Sequence, residues 1–243
     1  VRTERVGVNR PNGNAIHASR TCGTRTPPAS EGLSRRRAGR PFAAILDKTR
    51  ITSAALEIIG RKGYDGLTMA GLAKQLEVAP SALYNHVTAK RDVLQLAEDH
   101  LISMVDVSLF GRAPWEEAAR VWAWSYRDVF AQHTSLIPVI AVLPVTNAPQ
   151  TLEMYETVTR AFAAAGFPQN LIVSSIVAFE SFIFGSAYDV TAPDDIFEAG
   201  STVDSTPHFR AALKAGRVNE RPADTAFELG LEALIAALAR SLC

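Results

Sequence analysis

The stretch Leu67-Thr68-Met69-Ala70-Gly71-Leu72-Ala73-Lys74-Gln75-Leu76-Glu77-Val78-Ala79-Pro80-Ser81-Ala82-Leu83-Tyr84-Asn85-His86-Val87-Thr88-Ala89-Lys90 reads as two short helices joined by a tight turn. Thr68 supplies an N-cap hydroxyl. Leu72, Ala73 and Leu76 then recur at helical spacing on one face. Glu77, Val78 and Ala79 are too few for a loop, so the chain turns back at once. Pro80 suits the first turn of the next helix, where its missing N–H costs nothing. Leu83 and Val87 form that helix's apolar side, and Ser81, Ala82, Tyr84, Asn85 and His86 stay free on the others. The shape is a helix-turn-helix, and small or hydrogen-bonding free residues suit a helix entering a major groove.

Gly66-Leu67-Thr68, then Leu72-Ala73, Leu76 and Val78, then Leu83-Tyr84-x-His86-Val87-x-x-Lys90, resembles the signature of the tetracycline-repressor (TetR) family of transcriptional regulators. The resemblance covers residues 47–101. It implies that the start of the second helix faces bases while flanking groups hold phosphates. Position by position, Pro80, Ser81 and Asn85 become base-side candidates, since Asn can pair bidentately with adenine and Pro or Ala can touch a thymine methyl. Thr68, Tyr84, His86 and Lys90 become phosphate-side candidates, and Ala82 reads as a spacing residue. Two positions depart from the tetracycline repressors themselves. Ala70 stands where they carry a base-reading Arg, and Asn85 where they carry a large aromatic, so their operator cannot be borrowed.

Around this stretch the charge is uneven. Residues 1–41 hold nine Arg against Glu4 and Glu31, a net of +7, and the remainder carries −7. Arm 1–41 is rich in Gly, Pro, Ser, Thr and Asn without periodicity and reads as disordered. Its end, Arg35-Arg36-Arg37-Ala38-Gly39-Arg40-Pro41, suits a narrow minor groove or phosphates, with Arg37 and Arg40 nearest the reader; a solvated charge run is the plainer alternative. Val1 in place of Met reads as a valine-type start codon taken literally, with the true start further in. No apolar signal-peptide core occupies the first thirty residues. Cys22 and Cys243 give no zinc spacing and no disulfide framework, so a reduced, cytoplasmic setting is expected.

The rest of the chain keeps a helical period, and the fold class is all-α: an N-terminal three-helix reader over 42–92 and a larger helical ligand-binding and dimerisation domain over 93–243. Helices are expected over 47–62, from 68, over 80–86, 90–109, 115–133, 149–165, 168–188, 207–215 and 224–242, with a loop over 189–206. The apolar run 171–188 approaches membrane-span length but contains Glu180, Ser174, Ser175 and Ser181, and reads as a buried interface helix instead.

The resemblance implies that a small-molecule effector bound in the second domain weakens DNA binding. Trp122, Tyr126, His133, Met154, Phe179 and Phe182 could line an apolar cavity with His133 as polar anchor; each could equally be core. It also implies a homodimer through the helices over 168–188 and 224–242, with Val173, Ile176, Val177, Phe184, Leu231, Leu234 and Leu238 as candidates. Two-fold symmetry would set two readers in successive major grooves of a palindromic double-stranded operator, about 34–36 Å apart. No catalytic set, phosphate loop, metal box or cofactor motif is present in the sequence. A ligand-released repressor is therefore expected; an adaptor whose helix-turn-helix no longer reads DNA, or an all-α enzyme, are the rival classes.

Overall fold

Asp47 is the N-cap of the first described helix, its Oδ1 accepting from Arg50 N at 2.8 Å. The computed structural model describes residues 46–193, 195–197, 205–216 and 222–242, all within the unit spanning 44–243. Arg37 and Arg40 lie outside the described residues. Every regular element among the described residues is helical.

Helix α1 (Lys48–Lys62) buries Ile51, Ala55, Ile58 and Ile59 on the expected stripe. Gly63 ends it at φ 69°, returning its N–H to Ile59 O. Helix α2 (Met69–Gln75) is capped by Thr68, whose Oγ1 accepts from Gly71 N at 3.0 Å. The turn after α2 is closed by two reverse bonds, Val78 N to Ala73 O at 3.0 Å and Glu77 N to Lys74 O at 3.2 Å. That is a Schellman closure, and it forces Glu77 to φ 57° without being glycine. Helix α3 (Pro80–Tyr84) follows at once. Leu67, Leu72, Ala73, Leu76, Leu83 and Val87 are all buried, so the expected small core fixes the angle of the two helices.

Helix α4 (Lys90–Ile102) starts where Asp92 Oδ2 gathers Thr88 N, Thr88 Oγ1 and Ala89 N. Those hydrogen bonds, the Thr88 hydroxyl first, hold the Asp92 carboxyl below its ordinary pKa. The helix ends seven residues before the expected 109. The cause is local: Asp106 Oδ1 accepts from Ser108 N, Asp106 N donates to Ser125 Oγ, and Gly111 takes φ 78°. Val105 and Phe110 thereby drop into the core from an irregular segment.

The body is built from α5 (Trp115–Ala131), α6 (Ile137–Ile140), α7 (Pro149–Ala164), α8 (Gln169–Asp189), α9 (Pro207–Gly216) and α10 (Pro222–Arg240). α5 packs on α8 and α10, and α7 packs on α4 and α8. Aromatic edges fill the centre: Trp122 meets Phe179 at 5.5 Å and Phe110 at 5.9 Å, and Phe162 stacks on Phe167 at 4.5 Å. α10 is pinned to α5 by buried Arg127, which pairs with Asp224 at 2.5 Å and lies over the rings of Trp124 and Phe227. Nearer solvent, Arg120 grips Glu232 with two nitrogens.

Because Glu77 sits exposed in a left-handed conformation that disfavours a side chain, Glu77→Gly should raise stability by about 0.5–1 kcal/mol. Urea melts of the two proteins check this; a destabilised glycine variant would mean the side chain has an anchoring role.

Candidate nucleic-acid interface and effector site

Helix α3 divides by burial. Leu83 and Val87 are inside, while Pro80, Ser81, Tyr84, Asn85 and His86 are exposed, Tyr84 at 49%. Ala82 is half-buried. Thr68 is exposed at the N-terminus of α2, and its Oγ1 already accepts from Gly71 N, which leaves the hydroxyl proton to donate. Five of the expected DNA-side residues thus share one outward surface at the start and end of α3. The reader is braced from behind by a chain of side chains, Arg61 to Gln75 at 2.7 Å and Gln75 to Glu57 at 2.7 Å.

Lys90 departs from its expected place as a freely offered phosphate cation. Its Nζ donates to Tyr64 O at 2.8 Å and stands 3.6 Å from the centre of the Tyr64 ring. The cause is the 3-10 turn over Tyr64–Gly66, which presents to the start of α4 both a π face and a carbonyl that also accepts from Leu67 N at 3.1 Å. An ammonium has three protons, so donors remain, but Lys90 also ties α4 to the α1–α2 corner.

In the body, Trp122, Tyr126, Met154 and Phe179 are all fully buried, and Trp122 lies within 5.9 Å of Tyr126 and 5.5 Å of Phe179. Phe182 departs from this set. It stacks on Phe227 of α10 at 5.2 Å and covers Gly230, where an added Cβ would come within 2.5 Å of its ring. Helical rotation explains this: Phe182 and Phe179 are three apart, but the contact with α10 claims the later ring. His133 lies half-buried just beyond α5, its pKa lowered first by burial and then by nearby His100. An open groove of about 630 Å³ lies elsewhere, bounded by Pro114, Trp115, Ala161, Ala164, Ala239 and Leu242, and none of the expected ligand residues borders it.

The polar centre of the body is a residue the sequence reading used only against a membrane span. Glu180 Oε1 accepts from Tyr155 Oη at 2.8 Å and from Tyr126 Oη at 3.1 Å. Burial raises its pKa, and the two phenols partly offset that. Glu98 of α4 stands nearby, its pKa pushed up to about 7 by burial first, then by Glu180 and Asp99. Both tyrosines are driven well above their ordinary range by burial and by Glu180. Two further α4 side chains reach the body: Gln95 donates to Thr146 Oγ1 at 2.7 Å and Asp99 Oδ1 accepts from Thr151 N at 3.0 Å. Glu98 and Tyr155 were missed because each stands among other polar residues, Asp99 and His100 on α4 and Glu153 and Glu156 on α7, and Glu180 because a lone charge in an apolar helix names no partner. The isolated Glu within the run 171–188 was the available signal.

A helix-turn-helix with a polar outward α3, joined by one helix to an all-helical body with a buried aromatic and polar centre, is a DNA-binding regulator with a regulatory domain. Residues 51–97 match the pattern described as bacterial regulatory proteins, tetR family, and residues 110–242 match the tetracyclin repressor-like C-terminal domain. The chain belongs to the TetR family and is a ligand-responsive transcriptional repressor of it. It is similar to an HTH-type transcriptional regulator of Saccharopolyspora erythraea, 29% identical over 80% of this chain and 85% of the relative. It is also similar to the class A tetracycline repressor protein from transposon 1721 in Escherichia coli, 31% identical over 80% of this chain and 91% of that one. Among solved structures it is similar to Streptomyces coelicolor ActR in complex with actinorhodin, with a TM-score of 0.67, 27% identity and coverage of 82% of this chain and 97% of that one. A TetR variant from Acinetobacter baumannii in complex with minocycline gives a TM-score of 0.66 and 25% identity over 81% of this chain and 94% of that one.

A carboxyl whose pKa is raised by folding favours the fold while protonated. The Glu98 contribution is therefore present below its ordinary value of 4.5 and is lost as pH rises through about 7. Between about pH 5 and pH 8 the native chain should lose on the order of 2 kcal/mol more stability than Glu98→Gln, water screening at its partly exposed edge included. Urea melts at the two pH values check it; parallel losses in both proteins would place the titration elsewhere.

Proposed function

We propose that the chain, as a homodimer, holds a palindromic operator through α3 and releases it when a small molecule enters the helical body. The carrying observation is the division of α3: Pro80, Ser81, Tyr84, Asn85 and His86 face outward over a buried Leu83 and Val87. In this reading Pro80, Ser81 and Asn85 approach bases, Ala82 sets their spacing, and Thr68, Tyr84, His86 and the spare protons of Lys90 hold phosphates. Residues 42–92 act as reader and 93–243 as body, with Arg37 and Arg40 of the arm adding electrostatic attraction. Trp122, Tyr126, His133, Met154 and Phe179 surround the effector. The protein works in the cytoplasm and catalyses no reaction.

The dimer face follows from exposure. Val173 and Val177 are 68% and 51% exposed on α8, and Leu229 is 74% exposed on α10. Ser181 and Gly185 continue the α8 stripe, and Ala226, Ala233 and Ala236 continue that of α10. Ile176 and Leu231, expected at the interface, are buried within the subunit. They face the α5 side of their helices and form its core.

Two measurements follow. Asn85→Ala should relax base preference at particular operator positions, by about 1–3 kcal/mol each, while Tyr84→Phe should weaken binding by about 1 kcal/mol at every sequence. Randomised-site selection with the purified variants distinguishes them, and an unaltered preference for Asn85→Ala would remove it from the base-reading set. Val177→Arg combined with Leu229→Arg should give monomers by analytical ultracentrifugation and cut operator affinity by about 100-fold or more, through loss of bivalency. A dimer that survives both charges would move the interface off α8 and α10.

A further inference from the structure

The body holds two carboxylates, Glu180 and Glu98, that meet no counter-charge among the described residues. Glu180 Oε1 is satisfied by Tyr126 and Tyr155, but its Oε2 has no partner among the described residues. Glu98 makes neither a hydrogen bond nor an ion pair among them, and no Lys, Arg or His of the described residues pairs with either carboxylate. Partly buried charges without counter-charge destabilise a fold, and proteins ordinarily pair them. Here aromatic rings surround them instead. Tyr126 lies 5.5 Å from Phe184, 5.1 Å from Phe130 and 5.9 Å from Trp122. Trp122 adds an independent observation: it is fully buried, touches Tyr126 and Phe179, and its Nε1–H has no acceptor. A donor left unmade in a dry interior also lacks a partner that the chain itself does not provide.

We propose that the effector is a lipophilic organic cation, an ammonium or onium carried on apolar groups, which seats its charge between Glu180 and Glu98 and its apolar groups on the Trp122–Tyr126–Phe184 rings. The proposal rests on the reading of the body as an effector domain and names the chemistry of that site. Carboxylates supply the charge, ring faces add attraction for a desolvated cation, and the Trp122 N–H takes any acceptor the molecule carries. Such a ligand touches four helices at once, through Glu98 of α4, Tyr126 of α5, Tyr155 of α7 and Glu180 of α8. One of them, α4, carries the reader, so the occupied site acts on it directly. An anion of the same shape meets two carboxylates and is rejected.

Tetraphenylphosphonium and tetraphenylborate have nearly the same shape and opposite charge, and isothermal titration of the full chain with each, at about pH 8 where Glu98 is ionised, tests the inference. The phosphonium should bind at least about tenfold more tightly than the borate, Glu180→Gln should weaken the phosphonium about tenfold, and Glu98→Gln should weaken it several-fold. Glu156→Gln, on the exposed side of α7, should change nothing. Equal affinities, a cation preference that survives both glutamine variants, or no binding of either ion at millimolar concentration would overturn the proposal. Circular dichroism screens each variant for folding, and if Glu180→Gln does not fold, Glu98→Gln carries the test alone. Operator binding of the same preparations separates the two levels. A protein that holds DNA but shows no charge preference loses this inference and keeps its repressor role. One that prefers the cation but never holds DNA keeps the site and loses the operator reading.

Discussion

α4 must satisfy two cores, and the rest of the structure depends on that. On one side it packs against α1 of the reader; on the other it meets α5, α6 and α7 of the body. Val93, Leu94, Ala97 and Leu101 are all within 2% of complete burial, so the helix has no face that can slide without breaking contacts. Three of its polar side chains are committed as well. Lys90 is tied to Tyr64, Gln95 to Thr146 and Asp99 to Thr151. A packed helix held at both ends has discrete positions rather than a continuum, which is what a repressor needs if occupancy of the body is to alter the aim of the reader.

The helix-turn-helix was legible because local rules decide it. Thr68 as cap, Pro80 in a first turn and the Leu72, Leu76, Leu83, Val87 pattern all act over a few residues, and all hold in the structure. The helices of the body were legible for the same reason, through their Pro and Gly punctuation. What stayed hidden depends on partners distant in sequence. The early end of α4 carries no Gly or Pro at the break and is set by Ser125, nineteen residues along. The engagement of Lys90 depends on a carbonyl 26 residues earlier. Phe182 was placed with the ligand residues because aromatic composition says nothing about which neighbour a ring faces; only the approach of α10 at Gly230 decides it. Glu180 was visible as a charge in an apolar run, but its two phenol partners lie 54 and 25 residues away.

The disposition of charge within the body is selective. Between α5 and α10 every carboxylate that matters has its cation: Asp224 has Arg127, and Glu232 has Arg120. Removing one partner of the buried Arg127–Asp224 pair costs several kcal/mol, about 3–5, because the other charge is left behind. On α4 and α8 the opposite holds among the described residues: Glu98 and Glu180 have no cation, and the charge of Glu180 adds to the cost of ionising Glu98. A body selected for stability alone would place Gln or an apolar residue at one of these positions. Among the described residues the body pairs Asp224 and Glu232 with arginines and leaves these two acids without a cation.

α8 joins this centre to an outward face of exposed Val173 and Val177. By length and composition it is apolar enough to cross a membrane, yet only a third of its most apolar window is buried within the subunit. The two facts reconcile when its faces are separated. Ile172, Ile176, Phe179 and Ile183 turn inward with Glu180 beside them, while Val173, Val177, Ser181 and Gly185 turn outward with no large side chain after Val177 until Tyr188. Small residues let two helices approach closely, and the matching alanines of α10 extend the same low surface. Glu180 and Val177 are three residues apart, within one turn of a continuous 21-residue helix. A displacement of the carboxylate cannot be absorbed by a loop before it reaches the outward side of the helix. The apolar length of α8 therefore divides between a face buried by its own subunit and an exposed face of small and β-branched residues, which the proposed dimer would cover, with the polar centre set into the wall behind it.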